Sequence, residues 1–305
     1  MISFRGDAAF DLILKGLFDY AGMFPPAQRS FEQALAERAS FVTTLQRPWM
    51  LGADIVLDVE HTRRLAQVIS PELVGGGSFA VCVLVTEGLA ETKDCVTHLM
   101  QNAKKNRVEL KVAAFEVRVS EANIAKVLGE LGGYADQVDA LLALEPDLSG
   151  DNWRAVLEAT LGEIAAKRPG SALKCRLTGP TAIGPERLAA AIALSADVGL
   201  PFKVTGGLHH PIPEPGVHPF SIGFLNVSAA VYGRRALGAA LSEGELAQLL
   251  VCDSLTELSI KEDGFTWRGH TVSLEQLKKA QAAAHFSIGS CSLYEPDQDL
   301  GRLVG

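Results

Sequence analysis

From about residue 50 onward, short runs of β-branched and other apolar residues alternate with amphipathic segments. This alternation constrains the fold more than any other feature, because βα units in series build a parallel sheet that is covered by helices. The predicted strands are Ile55–Leu57, Phe79–Val85, Val112–Val119, Leu141–Leu144, Ala172–Leu177 and Phe202–Thr205.

Two further runs complete the strand count. The region of Asp19 to Gly22 predicts a first strand, and the segment HFSIGSCS near the C-terminus predicts a last one. Alternation on both sides of Asp263-Gly264 indicates an inserted β-hairpin. The sequence therefore predicts a (β/α)8 TIM-like barrel as a single domain over residues 1–305. An open doubly wound sheet is the alternative, but no GxGxxG segment follows an early strand.

Two helix starts are well marked in the sequence. Ser30-Phe31-Glu32-Gln33 has the pattern of a capping box, in which the serine and glutamine side chains satisfy free backbone N–H groups. Gly184-Pro185 places proline at the first position of the next predicted helix, which Gly199 closes.

Charge and cysteine usage narrow the class of partner. A net charge of −8 and a pI near 5.4, without clustered lysine and arginine, argue against a nucleic-acid binder. The five cysteines are odd in number and lack CxxC spacing, which favours a reducing cytoplasm. No apolar run approaches the roughly 20 residues that cross a bilayer. We expect a cytoplasmic protein that acts on a small molecule, with neither nucleic acid nor membrane as partner.

Polar residues at the ends of the predicted strands are the candidates for chemistry, since barrel active sites lie at that face. Lys174 and Lys203 are 29 residues apart, about one βα unit, and so lie on consecutive strands. Two ammonium groups in one pocket would lower each other's pKa, and the neutral amine could form a Schiff base with a carbonyl compound. Alternatively, both lysines pair with Glu116 and Glu145 in a structural ion network.

The glycine-rich strand ends suggest an anion site, because loops after the last strands of barrels often bind phosphate. The candidate substrate-binding residues are Asp19, Arg176, Thr205, Gly206, Gly207, His210, Asn226, Gly289 and Ser290.

The pair His209-His210 has three interpretations. One histidine could be a general acid or base, and the leading functional hypothesis gives this role to His209. A histidine could instead join Glu116, Glu145 and His218 around a divalent metal ion, or bond to backbone before Pro211. Cys291 could be a reactive thiol if a lysine or arginine lowered its pKa. No such partner is visible in the sequence, and a small buried residue is the favoured interpretation of that cysteine.

Several linked motifs resemble those of known proteins. FDYAGMFPPA, RPWMLGADIV, FKVTGGLHHP, GFLNV and IGSCSLYEP together resemble a family of bacterial and plant proteins, a resemblance that implies no reaction.

A looser likeness, over about the last four strands, is to class I aldolases of the deoxyribose-phosphate aldolase type. Lys174-Cys-Arg-Leu-Thr-Gly is similar to their Schiff-base segment, Lys203-Val-Thr-Gly-Gly to the segment that tunes it, and Gly289-Ser290 to a turn near the phosphate. This resemblance implies Lys174 as the nucleophile and Lys203 as its partner. Arg176 and Leu177 depart from the small residues of that pattern, and the His-His-Pro segment has no counterpart in it.

Three functions are compatible with these residues. The leading hypothesis is a lyase of the aldolase type that forms a lysine Schiff base with a small oxygenated carbonyl compound, with or without phosphate. The second is a metal-dependent lyase or isomerase that uses His209 or His210 with the two glutamates. The third is a barrel that binds a small anion without catalysis. The leading hypothesis requires no cofactor.

Overall fold

The computed structural model describes residues 8–75, 77–214 and 221–304. Eight parallel strands form a nearly closed barrel with helices between them, in the order β1-β11-β7-β6-β5-β4-β3-β2. These strands are β1 (Phe18–Tyr20), β2 (Ile55–Asp58), β3 (Ser78–Leu84), β4 (Glu109–Val119), β5 (Leu141–Pro146), β6 (Ala172–Arg176), β7 (Phe202–Thr205) and β11 (Phe286–Ser290). The predicted barrel is confirmed.

The barrel closes where β1 meets the residues just before β2. Phe18 and Leu51 form a parallel bridge, the Gly52 N–H donates to the Phe18 carbonyl at 2.6 Å, and the Tyr20 N–H donates to the Ala53 carbonyl at 3.1 Å. On its other side β1 pairs with β11. The first and last strands of the ring are therefore neighbours.

The helices follow the strands on the outside of the ring. Those before β5 are α1 (Ala8–Leu14), α2 (Phe31–Thr44), α3 (Val59–Val68), α4 (Pro71–Val74), α5 (Leu89–Lys105), α6 (Ile124–Lys126) and α7 (Gly132–Gln137), with a π-helical stretch at Val127–Leu131 and a 3-10 turn at Pro48–Met50. Those after β5 are α8 (Trp153–Lys167), α9 (Pro185–Asp197), α10 (Phe224–Leu237), α11 (Glu243–Leu250), α12 (Leu274–Ala283) and α13 (Tyr294–Val304), with a 3-10 turn at Gly238–Ala240. In the described ranges, no helix combines the length and apolar character that crossing a bilayer requires.

The inserted hairpin is confirmed and is extended by a third strand. Antiparallel strands β8 (Leu258–Lys261), β9 (Gly264–Trp267) and β10 (His270–Ser273) form a separate sheet between α11 and α12. The turn from β9 to β10 passes through Arg268 and Gly269, both with positive φ. Two successive residues of positive φ match the right-handed twist of a two-residue hairpin.

Both marked helix starts are present. The Ser30 side chain accepts from the Gln33 N–H and the Gln33 side chain accepts from the Ser30 N–H, at the start of α2. Pro185 begins α9, and Gly199 follows its end with φ of 68°. These local signals fix where the helices leave the C-terminal face of the barrel, which is the face that carries the polar residues.

Candidate active site

Lys174 and Lys203 are direct neighbours inside the barrel. They pair in register on β6 and β7, and each is only 1% exposed. Alternate residues of a barrel strand point inward, so their neighbours Leu173, Cys175 and Val204 face the helices. The adjacency expected from the sequence spacing is therefore present, and it places two ammonium groups out of contact with water.

A carboxylate lies between the two lysines. Glu116 on β4 is 2.7 Å from Lys174 Nζ through Oε2 and 3.1 Å from Lys203 Nζ through Oε1. Glu145 on β5 is 2.6 Å from Lys174 Nζ. Both glutamates are 4% exposed. Charges buried this deeply are stable only when they are paired, and here each ammonium has at least one carboxylate in contact.

Lys203 has a second acidic partner, Asp19 on β1. The ammonium forms a short ion pair with the Asp19 carboxylate and donates to Ser287 Oγ at 3.3 Å. The other Asp19 oxygen accepts from the Ala53 N–H at 2.8 Å, so the backbone that closes the barrel also orients this carboxylate. Asp19, expected to bind substrate, is instead part of the charge network.

Arginines close the network toward solvent. Arg176, two residues after Lys174 on β6, donates to both oxygens of Glu145, with Nε 2.6 Å from Oε1 and Nη2 3.1 Å from Oε2. Arg118 on β4 lies 3.7 Å from Glu145 Oε1, with its side chain 68% exposed. Asp19, Glu116, Glu145, Lys174, Arg176 and Lys203 are called the ion-pair cluster below.

The electrostatics of this cluster correct one expectation from the sequence. Burial would lower the pKa of Lys203, but Asp19 and Glu116 hold that pKa well above its ordinary value. The expectation that the two lysines lower each other's pKa is therefore wrong for Lys203. The reason is that carboxylates from other strands stand between the ammonium groups and outweigh their mutual repulsion.

The two glutamates stay ionised in the same surroundings. Burial would raise the pKa of Glu116, but the ammonium groups of Lys174 and Lys203 lower it to about 2. Burial likewise opposes ionisation of Glu145, and Lys174 and Arg176 lower its pKa below the ordinary value. Glu116, Glu145 and Lys203 are therefore charged at neutral pH.

Comparison with known proteins identifies a similar fold. No model of a known protein family matches the chain, and no curated protein matches it. A deoxyribose phosphate aldolase from Aeropyrum pernix, solved as a tetramer, aligns at 12% identity over 98% of this chain and 99% of its own, with a TM-score of 0.51. A "putative deoxyribose-phosphate aldolase" from Toxoplasma gondii ME49 aligns at 10% identity over 98% and 96%, with a TM-score of 0.37.

The Aeropyrum likeness shows the fold. It agrees with the looser resemblance to aldolase barrels and does not bear on the motifs shared with the bacterial and plant family.

The glycine-rich strand ends form tight turns beside the cluster. Gly206 and Gly207 follow β7 with φ of 91° and 73°, and a Cβ on Gly206 would lie 2.3 Å from Thr178 Oγ1. Thr205 Oγ1 approaches the Gly289 carbonyl at 3.5 Å. These turns are at the mouth of the barrel, as expected. Ser290 Oγ, however, donates to the Ser292 carbonyl at 2.6 Å and so stabilises its own turn.

The structure does not bring the two histidines to the ion-pair cluster. His209 Nδ1 lies 2.9 Å from Glu295 Oε2, and His210 Nδ1 lies 2.7 Å from Asp299 Oδ2. Both acids are on α13, one helical turn apart. The two histidines therefore attach the loop after β7 to α13. These side-chain contacts differ from the predicted alternative, in which a histidine bonds to backbone before Pro211.

Asn226, which was predicted to bind substrate, forms hydrogen bonds between two helices. Its side-chain N–H groups donate to the carbonyls of Leu249 and Cys252 at 2.7 and 2.8 Å. The residue is fully buried and joins α10 to the end of α11. Both amide hydrogens are therefore used in joining the two helices and are not available to a ligand.

The possible metal-ligand groups differ from the one predicted. In residues 8–75, 77–214 and 221–304, the groups that place three ligand atoms close together are Asp19, Cys82 and Glu116, and His210, Glu214 and Asp299. Neither group combines a histidine with Glu116 or Glu145, and the predicted ligand His218 lies outside the described residues. The ammonium of Lys203 already contacts Asp19 and Glu116 of the first group.

Sequence reasoning missed two residues of the network. Arg118 lies two residues after Glu116 on one strand and therefore points to the same side, a signal that the alternation of β4 could have supplied. Ser287 pairs in register with Lys203 on the neighbouring strand, and only the strand alignment reveals this contact.

Proposed function

We propose that this protein is an enzyme of the class I aldolase type, which binds a small oxygenated carbonyl compound as a Schiff base on Lys174. One observation carries the proposal: the Nζ atoms of Lys174 and Lys203 contact the same carboxylate, Glu116, on adjacent strands inside a barrel. A single carboxylate between two lysines provides one nucleophile and one fixed cation within a few ångströms.

The neighbours of each lysine decide which one is the nucleophile and which is the fixed cation. Lys203 keeps its proton, because Asp19 and Glu116 raise its pKa. Lys174 lies closer to the arginine side of the cluster, through Glu145 and Arg176. Lys203 is therefore the fixed cation of the pair, and Lys174 is the proposed nucleophile.

The chemistry preserves the charge pattern of the cluster. The Lys174 ammonium gives one proton to a neighbouring carboxylate, and the neutral amine attacks the carbonyl carbon. A second N–H proton and the stored proton pass to the oxygen, which leaves as water, so the resulting iminium carries the same charge as the original ammonium. Glu116 and Glu145 can therefore stabilise the iminium with the contacts that they make to the resting lysine. Their carboxylates are also within reach to hold or move the protons of the addition and dehydration steps.

Fold similarity supports the same reaction class without specifying a substrate. The similar barrel from Aeropyrum pernix is a deoxyribose phosphate aldolase, and at 12% identity the likeness extends to the fold. We assign substrate binding to Arg176, the Gly206-Gly207 turn and the Gly289 strand end. These groups lie at the mouth of the barrel, where an anionic substituent would meet a guanidinium and the backbone of two glycine turns.

Trapping with cyanoborohydride tests the proposal. The protein is incubated with glycolaldehyde or pyruvate and the reductant, and intact mass with peptide mapping locates any adduct. We expect one adduct per chain, on Lys174, formed with at least one of the two compounds. Lys174→Arg keeps the charge but cannot form an imine, so the adduct should disappear in that variant while circular dichroism stays unchanged.

The matched control is Lys279→Met, which removes an exposed lysine that is also paired with a glutamate, at 2.8 Å. This variant should form the same adduct as the wild type. An adduct that survives removal of both Lys174 and Lys203, or no adduct from a panel of aldehydes and keto acids, would contradict the proposal. Retained anion binding without any adduct would then favour a binding protein.

A further inference from the structure

A second group of reactive side chains lies outside the ion-pair cluster, immediately after the last barrel strand. Cys291 directly follows β11, and its Sγ is 3.6 Å from His209 Nε2. The other ring nitrogen of His209 is 2.9 Å from Glu295 Oε2. Thiol, imidazole and carboxylate are thus arranged in series, from β11 through the loop after β7 to α13.

The order of contacts sets the direction of proton transfer. A carboxylate at Nδ1 favours the tautomer that carries its hydrogen there, which leaves the Nε2 lone pair facing the thiol. A nucleophile next to a base that is itself oriented by a third group is the arrangement used in covalent catalysis. Among the five cysteines, all in described positions, Cys291 is the one with this kind of neighbour.

The histidine is held in place by its neighbours in sequence. His210 contacts Asp299 on α13, and the His210 carbonyl accepts from the Phe224 N–H at 2.9 Å at the start of α10. The loop that carries His209 is therefore fixed to two helices. A general base must be held at a fixed distance from its nucleophile, because a displacement of about 1 Å between the two groups can lower the reaction rate about 100-fold.

The resting pair is neutral. Burial lowers the pKa of His209, opposed by Glu295 and assisted by His210. Burial raises the pKa of the Cys291 thiol, while backbone hydrogen bonds at Ala27 and Cys291 lower it. The other ionisable groups that act on the thiol are Glu295 on α13, Glu37 on α2 and Tyr20 on β1. A neutral imidazole can act as a general base and accept the proton of the neutral thiol beside it.

We propose that Cys291, His209 and Glu295 form a second nucleophilic site, which accepts an acyl group from an activated ester or thioester. The Cys291 sulfur attacks the acyl carbon and forms an S–C bond, the bond to the alcohol or thiol leaving group breaks, and the thiol proton passes to His209 Nε2 and then to the leaving group. Glu295 is a positioning residue. Backbone N–H groups at Ala27 and Cys291 act on the sulfur and stabilise the thiolate that forms as the proton leaves.

Acetylation by p-nitrophenyl acetate tests this site. Nitrophenolate release gives the rate, and peptide mapping reports the acetyl group on each cysteine. Cys252 is the matched internal control, since it is 8% exposed against 9% for Cys291 and donates to the Ser254 carbonyl instead of contacting a histidine. We expect Cys291 to react about 100-fold faster than Cys252, the lower end of what a general base contributes.

Variants separate catalysis from structure. His209→Gln should slow acetylation of Cys291 by about 100-fold and abolish its dependence on a group whose pKa lies below the ordinary histidine value, and added imidazole should restore part of the rate. Glu295→Gln should shift that pH profile while Cys252 reacts as before. Equal rates at Cys291 and Cys252, or an unchanged rate and pH profile in both variants, would overturn the proposal. Either outcome is independent of adduct formation on Lys174.

Discussion

Substitution of Glu116 by glutamine is the sharpest test of how the ion-pair cluster contributes to stability. The side chain is buried, and its two oxygens contact the ammonium groups of Lys174 and Lys203 at 2.7 and 3.1 Å. Glutamine has nearly the same shape but no charge. The variant therefore removes two ion pairs and leaves two buried cations with fewer partners.

The expected loss follows from the pKa of Glu116. A fall from the ordinary value of 4.5 to about 2 corresponds to about 3 kcal/mol, at about 1.4 kcal/mol for each pH unit. Removing one partner of a buried pair typically costs about 3–5 kcal/mol, which agrees. Because the pKa in the folded state is lowered, this contribution is present above about pH 4.5 and disappears as the pH falls toward about 2.

Urea denaturation measures both effects. At about pH 7 we expect the free energy of unfolding of Glu116→Gln to be about 3 kcal/mol below that of the wild type. The difference should shrink as the pH is lowered from about 5 to 3, because the wild type then loses what the variant already lacks. Glu275→Gln is the control, since it breaks a fully exposed pair with Lys279 at 2.8 Å and should leave stability unchanged.

Two results would refute this reasoning. Equal stability of Glu116→Gln and the wild type at neutral pH would mean that solvent reaches the cluster and screens its charges. A constant difference between the two proteins at all pH values would mean that packing, and not ionisation of Glu116, accounts for the loss.

Three further predictions follow from the same structure. Lys203→Met should lower the yield of trapped adduct on Lys174, because Glu116 loses the cation that holds it in place beside Lys174; intact mass measures this. Asp299→Asn should speed amide hydrogen exchange in residues 206–214 and leave the barrel strands protected, since the partner of His210 on α13 is weakened. Gly206→Ala should lower the melting temperature, because φ is 91° and the added Cβ meets a threonine oxygen, whereas Gly170→Ala, with open space around it, should not.

Much of the barrel is predictable because its strands are locally encoded. The apolar runs that became β2 to β7 are each bounded by polar or turn residues, and buried parallel strands require such runs. The three-residue β1 is less evident, because it is short and its partners are β11 and the backbone near Ala53, from distant parts of the chain. The third strand of the small sheet depended on a turn through Arg268, a residue that seldom adopts positive φ.

The sequence indicated which residues form the candidate site, but not which of them contact one another. Alternation along a strand indicates that Lys174 points inward, but the strands that supply its carboxylates are known only once the ring is closed. For the same reason the sign of the pKa change at Lys203 could not be obtained from the spacing of two lysines. The contact of His209 with Glu295 joins residues more than 80 positions apart, and no local pattern announces it.

The contact between Lys203 and Asp19 has a consequence for assembly of the protein. It joins residues 184 positions apart, and Asp19 is on the strand that closes the ring. A partly formed barrel of β2 to β7 would bury the Lys203 ammonium without its main counterion, at a cost of several kcal/mol. We therefore expect the interior of such a fragment to stay hydrated until β1 pairs with it and supplies Asp19. The interior charges therefore disfavour incomplete barrels and make the two ends of the ring fold as one cooperative unit.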